Sequence, residues 1–262
     1  MAEFDAVLFS DLHLSPKTPA QNRLFDAFVE RVAGTPEVAC LGDLTEYWIG
    51  YHQLTDDHGV HVIAQLAKLA RGTKRAIFVG GNRDFLMRPE ARSAGFETFK
   101  NVYEGEFAGR RVALEHGDRF CSLDRKYQRF RWWFRKVPWW IVQAVVTASQ
   151  GHRIAQYVRR KSKGETARRN PSMFGMQPKP IERLVARGAE FVIAGHVHFP
   201  FSKEYASAGK RGRLMVMSDW RADEAVVCVA KNGQFELRRF NGVEFLPFDA
   251  PAEQVLTPAM AH

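Results

Sequence analysis

Short apolar runs recur along the chain, and each closes on a polar cluster. Ala6-Val7-Leu8-Phe9 leads into Ser10-Asp11, Val38-Ala39-Cys40-Leu41 into Gly42-Asp43, and Ala76-Ile77-Phe78-Val79 into Gly80-Gly81-Asn82. Val112-Ala113-Leu114 precedes Glu115-His116, Phe191-Val192-Ile193-Ala194 precedes Gly195-His196, and Leu214-Met215-Val216-Met217 precedes Ser218-Asp219. These runs lack the apolar–polar alternation of a half-exposed strand and predict strands buried on both faces. Helical periodicity separates several of them. Leu24, Phe25, Phe28, Val29 and Val32 share one helix face before Gly34; Val62, Ile63, Leu66, Ala67 and Ala70 share another before Gly72; Ile181, Leu184 and Val185 share a third before Gly188. A glycine stands at each expected helix stop. Strand–helix alternation predicts an α/β fold with buried sheets. In such folds ligands gather outside the carboxyl ends of the strands, where these polar clusters lie.

The rhythm breaks between about Phe120 and Ser172, a stretch without strand runs that is aromatic and cationic and is interrupted at Pro138 and Gly151. It reads as a helical insertion, residues 120–172, capping the site of a core formed by residues 1–119 and 173–246. Strand patterns resume at Ala225 to Val229 and Phe235 to Phe240, joined by a Lys231-Asn232-Gly233 turn. The tail, residues 247–262, carries Pro247, Pro251 and Pro258 and is expected to be poorly ordered.

Charge sharpens the outline of the insertion. Between Arg119 and Arg169 there are 14 Lys and Arg against two acids, Asp124 and Glu165, which exceeds the net charge of +9 of the whole chain. Four of the six tryptophans (Trp132, Trp133, Trp139 and Trp140) fall in the same stretch. Over the whole chain, composition is that of an ordinary globular protein, with 45% hydrophobic residues. Cys40, Cys121 and Cys228 are scattered and lack zinc or redox spacing, which points to a reducing, cytoplasmic compartment. The acidic start Met1-Ala2-Glu3-Phe4-Asp5 is not a secretory n-region, and the apolar stretch from Val137 to Ala148 is too short to span a bilayer.

Five clusters carry the chemistry: Asp11-Leu12-His13, Gly42-Asp43, Gly81-Asn82-Arg83-Asp84, His116-Gly117-Asp118 and Gly195-His196-Val197-His198. Taken singly, an Asp at a strand end is more often a turn or cap than a ligand, and a lone His is more often a surface or core residue. Five in succession, each at the end of a buried-type strand, resist that reading. Charged groups in such places cost free energy unless they pair or bind a metal.

In order and spacing these clusters resemble the calcineurin-like metallophosphoesterase superfamily, whose motifs are D-x-H, GD, GN, H and GH-x-H. The resemblance spans Asp11 to His198 and implies a four-layer α/β/β/α sandwich with two divalent metal ions. It implies that Asp11, His13, Asp43 and His198 hold one ion, and that Asp43, Asn82, His116 and His196 hold the other, with Asp43 bridging. An oxygen and nitrogen donor set without thiolate suits Mn²⁺, Fe or Zn²⁺ in an open site. Two such ions ~3.5–4 Å apart bind phosphoryl oxygens and activate a water as nucleophile. Arg83 stands where many superfamily members carry a His that protonates an alkoxide. Arginine stays charged and cannot be that acid, but it can stabilise charge on a phosphoryl group. A leaving group that departs unprotonated, such as a phosphate, then fits best. Arg83 as a simple ion-pair partner of Asp84 fits the spacing equally.

Ser10 to Leu14, Gly42-Asp43-Leu44 with Tyr47-Trp48-Ile49-Gly50, Gly81 to Leu86, His116-Gly117-Asp118 and Asp219-Trp220 are similar to the UDP-2,3-diacylglucosamine diphosphatase family of lipid A biosynthesis. That family also carries a helical insertion after its HGD motif. The resemblance implies cleavage of a nucleotide-linked glycolipid to UMP and a lipid sugar 1-phosphate, and peripheral contact with the cytoplasmic face of the inner membrane. Asp124, Arg159, Ser162 and Arg169 then become candidate substrate contacts, beside Arg83 and His196. Trp beside Lys and Arg suits a membrane interface. Tyr51-His52 and Thr45 depart from the family pattern without touching the metal motifs. Two other readings compete. The basic, aromatic segment could bind nucleic acid, making the chain a nuclease or nucleotide phosphodiesterase. Paired tryptophans fit a hydrophobic cap better than spaced base stacking. A non-catalytic phosphoesterase-like scaffold would have lost ligands, and none is missing.

Overall fold

The computed structural model describes residues 2–137 and 175–252, together with residues 147, 150 and 153. Strand β1 (Ala6–Phe9) is followed by α1 (Pro19–Arg31), β2 (Glu37–Cys40), α2 (Asp57–Arg71), β3 (Arg75–Val79), the short α3 (Arg88–Ser93) and β4 (Glu97–Phe99). Next come β5 (Val102–Phe107), β6 (Arg110–Glu115), α4 (Arg125–Phe134), α5 (Pro178–Ala186), β7 (Phe191–Ala194), β8 (Phe201–Ser207) and β9 (Lys210–Val216). Strands β10 (Ala225–Lys231), β11 (Gln234–Phe240) and β12 (Phe245–Pro247) complete the order. One sheet has seven strands in the order β12-β11-β10-β1-β2-β3-β4, and the other has five in the order β5-β6-β7-β9-β8. The centres are parallel (β1 with β2, β2 with β3, β6 with β7, β7 with β9), so the loops after these strands emerge at shared ends of their sheets.

All six apolar runs are strands or strand ends, and their side chains split by parity between two cores. Val7, Phe9, Val38, Cys40, Ala76 and Phe78 face α1 and α2, which contribute Phe25, Phe28, Val62 and Leu66. Ala6, Leu8, Ala39, Leu41, Ile77 and Val79 face the second sheet, where Val112, Leu114, Ile193 and Met215 meet them. On that sheet's outer side Ala113, Val192, Ala194 and Val216 pack against Ile181, Leu184 and Val185 of α5. Three cores between four layers give the α/β/β/α sandwich that the motifs implied. Strands sandwiched this way are wet on neither face, which is why their sequences do not alternate.

The structure departs from expectation at three places. Gly34 and Gly188 have the positive φ of a helix stop, 80° and 106°, but Gly72 caps α2 with φ −99° and an ordinary right-handed backbone. Phe120 and Cys121 are buried, Phe120 in the α5 core, so the described part of the insertion departs from the core only at α4. The tail is ordered further than its prolines suggested. Phe248 and Ala250 pack on the inter-sheet core and the Pro251 carbonyl accepts the Ser202 N–H at 2.9 Å, because this stretch has apolar side chains with a sheet edge to cover. Trp139, Trp140, Arg159, Ser162 and Arg169 lie outside the described residues, as does the chain from residue 253. No helix among the described residues is long and apolar enough to cross a membrane.

Candidate metal centre

The loops after β1, β2, β3, β6 and β7 converge, and with them all seven candidate ligands. Asp11 and Asp43 are fully buried, as is His116, while His196 and His198 are partly open. Five of these residues hold a left-handed backbone: Asp11 (φ 58°), His13 (51°), Asp43 (53°), His196 (72°) and His198 (59°). Non-glycine residues seldom adopt it, and it costs of order 1–3 kcal/mol apiece, so its concentration here is paid in stability and answers to a function.

Hydrogen bonds from the loops fix the carboxylates. Oδ2 of Asp11 accepts from Ser10 Oγ at 2.6 Å and from the His196 N–H at 2.8 Å. Oδ1 of Asp43 accepts the Arg83 N–H at 2.9 Å. Two glycines allow this approach. A Cβ at Gly195 would stand 2.0 Å from Asp11 Oδ2, and one at Gly81 would stand 2.3 Å from Asp43 Oδ1.

The side chains gather in two clusters. In the first, His13 Nε2 and His198 Nε2 are 3.1 Å apart, and His198 Nε2 lies 3.5 Å from Asp11 Oδ1. In the second, Asn82 Oδ1 is 2.9 Å from His116 Nε2 and 3.1 Å from His196 Nδ1, and His116 Nε2 lies 3.6 Å from Asp43 Oδ1. The His116 Nδ1–H donates to the Leu41 carbonyl at 2.9 Å, which turns Nε2 inward. Asp11 stands between the clusters, its carboxylate within 4.8 Å of His13 and His198 on one side and of Asp43 and His116 on the other.

Electrostatics favour cations. Burial alone would raise the Asp11 carboxyl, but the close approach of His198 and the charge of His116, His198 and His13 hold it well below the usual range. Burial and then Arg83 push His13 well down; burial and then His116 push His196 down to about 4. Burial opposes charge on His116 and His198 too, yet Asp43 and Asp11 raise the first, and the nearby Asp11 carboxylate raises the second. A divalent ion would balance the same carboxylates, since metal binding to such sites releases protons. Oδ1 of Asp11 and Nδ1 of His13 are buried without a hydrogen-bond partner, and nitrogen and oxygen acceptors crowd face to face. The residues fit a metal centre.

The remaining predicted site residues differ in outcome. Arg83 does not pair with Asp84. Its Nε is 3.2 Å from Asp43 Oδ2 and its Nη1 is 3.1 Å from Glu46 Oε1, while Asp84 accepts the N–H groups of Leu44 and Gly81 at 2.7 and 2.9 Å. Asp84 is fully buried with its carboxylate taken up by these two backbone donors, whereas Arg83 is part-exposed. Asp124 caps α4, accepting the Tyr127 N–H at 3.0 Å. Sequence reasoning missed Asp118 as a hub: its Oδ2 accepts from Tyr127 Oη at 2.7 Å and Arg131 Nε at 2.5 Å, and Tyr127 stacks on His196. Its place in the HGD motif was the available signal. Asp219 Oδ2, 3.9 Å from His198 Nδ1, was also missed as a neighbour of the site.

Comparison with known proteins agrees with this geometry. Residues 5–200 match the family model described as calcineurin-like phosphoesterase. The chain is 36% identical over 233 residues to a UDP-2,3-diacylglucosamine hydrolase of Ralstonia nicotianae, covering 82% of this chain and 84% of that protein. It is 33% identical over 230 residues to the enzyme of that name from Shewanella piezotolerans, covering 85% and 92%. A third, from Pseudomonas aeruginosa, is 30% identical over 233 residues, covering 87% and 96%. Clustered Asp and His donors and a family match across most of the length lead to one conclusion: the chain belongs to the calcineurin-like phosphoesterase family and is a metal-dependent hydrolase.

Proposed function

We propose that this chain hydrolyses the pyrophosphate of UDP-2,3-diacylglucosamine, giving UMP and 2,3-diacylglucosamine 1-phosphate, at the cytoplasmic face of the inner membrane. The observation that carries the reading is the convergence of Asp11, His13, Asp43, Asn82, His116, His196 and His198 in a chain similar over most of its length to hydrolases of that substrate. Asp11, His13, Asp43 and His198 would hold one divalent ion and Asp43, Asn82, His116 and His196 the other, with Mn²⁺ the first choice and Fe or Zn²⁺ chemically suitable. Bound there, two such ions neutralise phosphoryl oxygens and supply an activated water.

The protein's own groups do the rest. Arg83 sits at the rim on Asp43 and Glu46, part-exposed, where its guanidinium can turn to a phosphoryl oxygen and stabilise the charge that builds there. It cannot protonate a leaving group, so the reaction suits UMP or a sugar phosphate leaving as an anion. Beside the site, α4 carries Trp132 and Trp133 with 59% and 68% of their surface exposed, next to Phe130 and Arg129. Exposed tryptophan with arginine suits acyl chains and the membrane interface. Asp124, Arg159, Ser162 and Arg169 are proposed to bind the substrate from the insertion.

The test is mass spectrometry of products from purified protein, Mn²⁺ and UDP-2,3-diacylglucosamine, with bis-p-nitrophenyl phosphate and single-stranded DNA as comparison substrates. UMP release from the lipid nucleotide at a rate well above cleavage of the other two is expected. Efficient DNA cleavage with an inert lipid nucleotide would replace this reading with the nuclease one.

A further inference from the structure

The loop that brings Asn82 to the second cluster begins with Gly80-Gly81, residues with no side chain to anchor them. Glycine loses more backbone freedom on ordering than any other residue, so the loop has to be held from outside. Asp84 holds one side by accepting the Gly81 N–H at 2.9 Å. Arg135 holds the other. Its Nη2 donates to the Gly81 carbonyl at 2.9 Å and to the Gly80 carbonyl at 3.2 Å. Its Nη1 donates to Asn101 Oδ1 at 3.1 Å and to the Lys100 carbonyl.

Arg135 is the C-cap residue of α4, buried, and 3.8 Å from Asp118 Oδ2. A buried guanidinium is costly unless its donors are used, and these are spread over the loops after β3 and β4 rather than over its own helix. Closing α4 would not require that reach. Arg131, one turn earlier, anchors the same helix by donating to Asp118 and to Asn101 Oδ1. The grip on Gly80 and Gly81 is therefore separate from the anchoring of α4. It falls one peptide before Asn82, in a loop pressed so closely on Asp43 that Gly81 has no room for a Cβ.

We infer that Arg135 is a positioning residue of the metal centre: by holding the Gly80 and Gly81 carbonyls it fixes Asn82 Oδ1 beside His116 and His196, and it ties the base of the insertion to that cluster. The inference rests on the metal reading of the site. Lysine cannot replace the fork of donors, because a single ammonium cannot span both carbonyls and Asn101 in one plane.

The experiment titrates metal-free full-length protein with Mn²⁺ by calorimetry for wild type, Arg135→Met and Arg135→Lys. Each is also melted and assayed with bis-p-nitrophenyl phosphate. Wild type is expected to bind in two steps. Arg135→Met should weaken one step by roughly 10–100-fold, the usual effect of removing a group behind a ligand, and leave the other unchanged. Its kcat should fall while KM holds, and Arg135→Lys should recover part of both losses. Unchanged affinities in the Met variant overturn the inference, as does equal weakening of both steps in proportion to a lost Tm, which is the mark of a merely structural role. If the Met variant does not fold, the Lys variant decides by the same one-step criterion. Wild type that binds no Mn²⁺ overturns the metal reading and this inference together, whereas normal wild-type binding with unaltered variants overturns Arg135 alone.

Discussion

The backbone carbonyl of Leu41, at the end of β2, accepts the Nδ1 proton of His116 at 2.9 Å, and this single contact sets which nitrogen of the ring faces the second cluster. A ligand histidine held by such a bond keeps its ring orientation and its lone pair inward. His116→Ala is expected to lower turnover at least ~100-fold and to remove one metal per chain, with the circular dichroism spectrum preserved. Metal analysis and kcat on the same sample check it. Full activity would take His116 out of the site.

Gly195→Ala should be far more damaging than a buried glycine-to-alanine change usually is. The added carbon would stand 2.0 Å from Asp11 Oδ2 and 2.1 Å from Ser10 Oγ, so the Asp11 carboxylate must move. Loss of metal uptake is expected, with destabilisation of about 1–3 kcal/mol from overpacking. Gly34→Ala is the control. A Cβ there meets nothing within 4 Å, and only the φ of 80° opposes it, so activity should survive at a cost of about 1 kcal/mol. Denaturant curves and metal content of the two variants separate the effects.

A chain that gathers buried carboxylates and imidazoles should be more stable with its ions than without. Mn²⁺ at ~100 times its Kd should add about 2.7 kcal/mol per site, provided the unfolded chain does not bind it. Scanning calorimetry should show a raised Tm that EDTA reverses. A Tm indifferent to Mn²⁺, Fe²⁺ and Zn²⁺ alike would falsify the metal assignment.

Arg83→Gln keeps a polar side chain and loses the charge. On the pyrophosphate substrate kcat is expected to fall by roughly 10²-fold, the scale seen when one donor to developing charge is removed. The metals should stay, since Arg83 reaches Asp43 Oδ2 only from the rim. Steady-state kinetics with parallel metal analysis test this, and an unaltered kcat would leave Arg83 as a partner of Asp43 and Glu46 and nothing more.

Phe28 on α1 probes the core rather than the chemistry. It is fully buried, with ring centroids of Phe9 and Trp220 at 5.2 Å and of Phe240 at 5.4 Å. Phe28→Ala should destabilise by about 3–5 kcal/mol through the cavity it leaves, measured by urea unfolding. A loss under 1 kcal/mol would mean that the helix layer collapses onto the gap.

The strands easiest to read in the sequence were those sandwiched between two cores. Val38-Ala39-Cys40-Leu41 is apolar at every position because neither face of β2 meets water. The strands that escaped notice, β4, β5, β8 and β12, are the four sheet edges among the described residues. Edge strands carry polar side chains where water reaches them and lose the continuous apolar signature. Phe201 to Ser207, for example, buries only its first residue.

The candidate ligands were legible for a related reason. Each follows directly on a buried strand, so its distance from that strand is fixed by a few residues of chain. By itself the sequence determined the buried central strands, the residue types able to hold two cations, and where the basic, aromatic stretch lies along the chain. It could not say what each side chain would touch, because contacts between loops separated by dozens of residues depend on how the two sheets stack. Only the tertiary structure decided that Arg83 lies on Asp43 and Glu46 rather than Asp84, that Asp118 binds α4 through Arg131, and that Arg135 holds the loop before Asn82. The physical reason is that a strand's burial is written in its own residues, whereas a hydrogen bond between two loops belongs to neither.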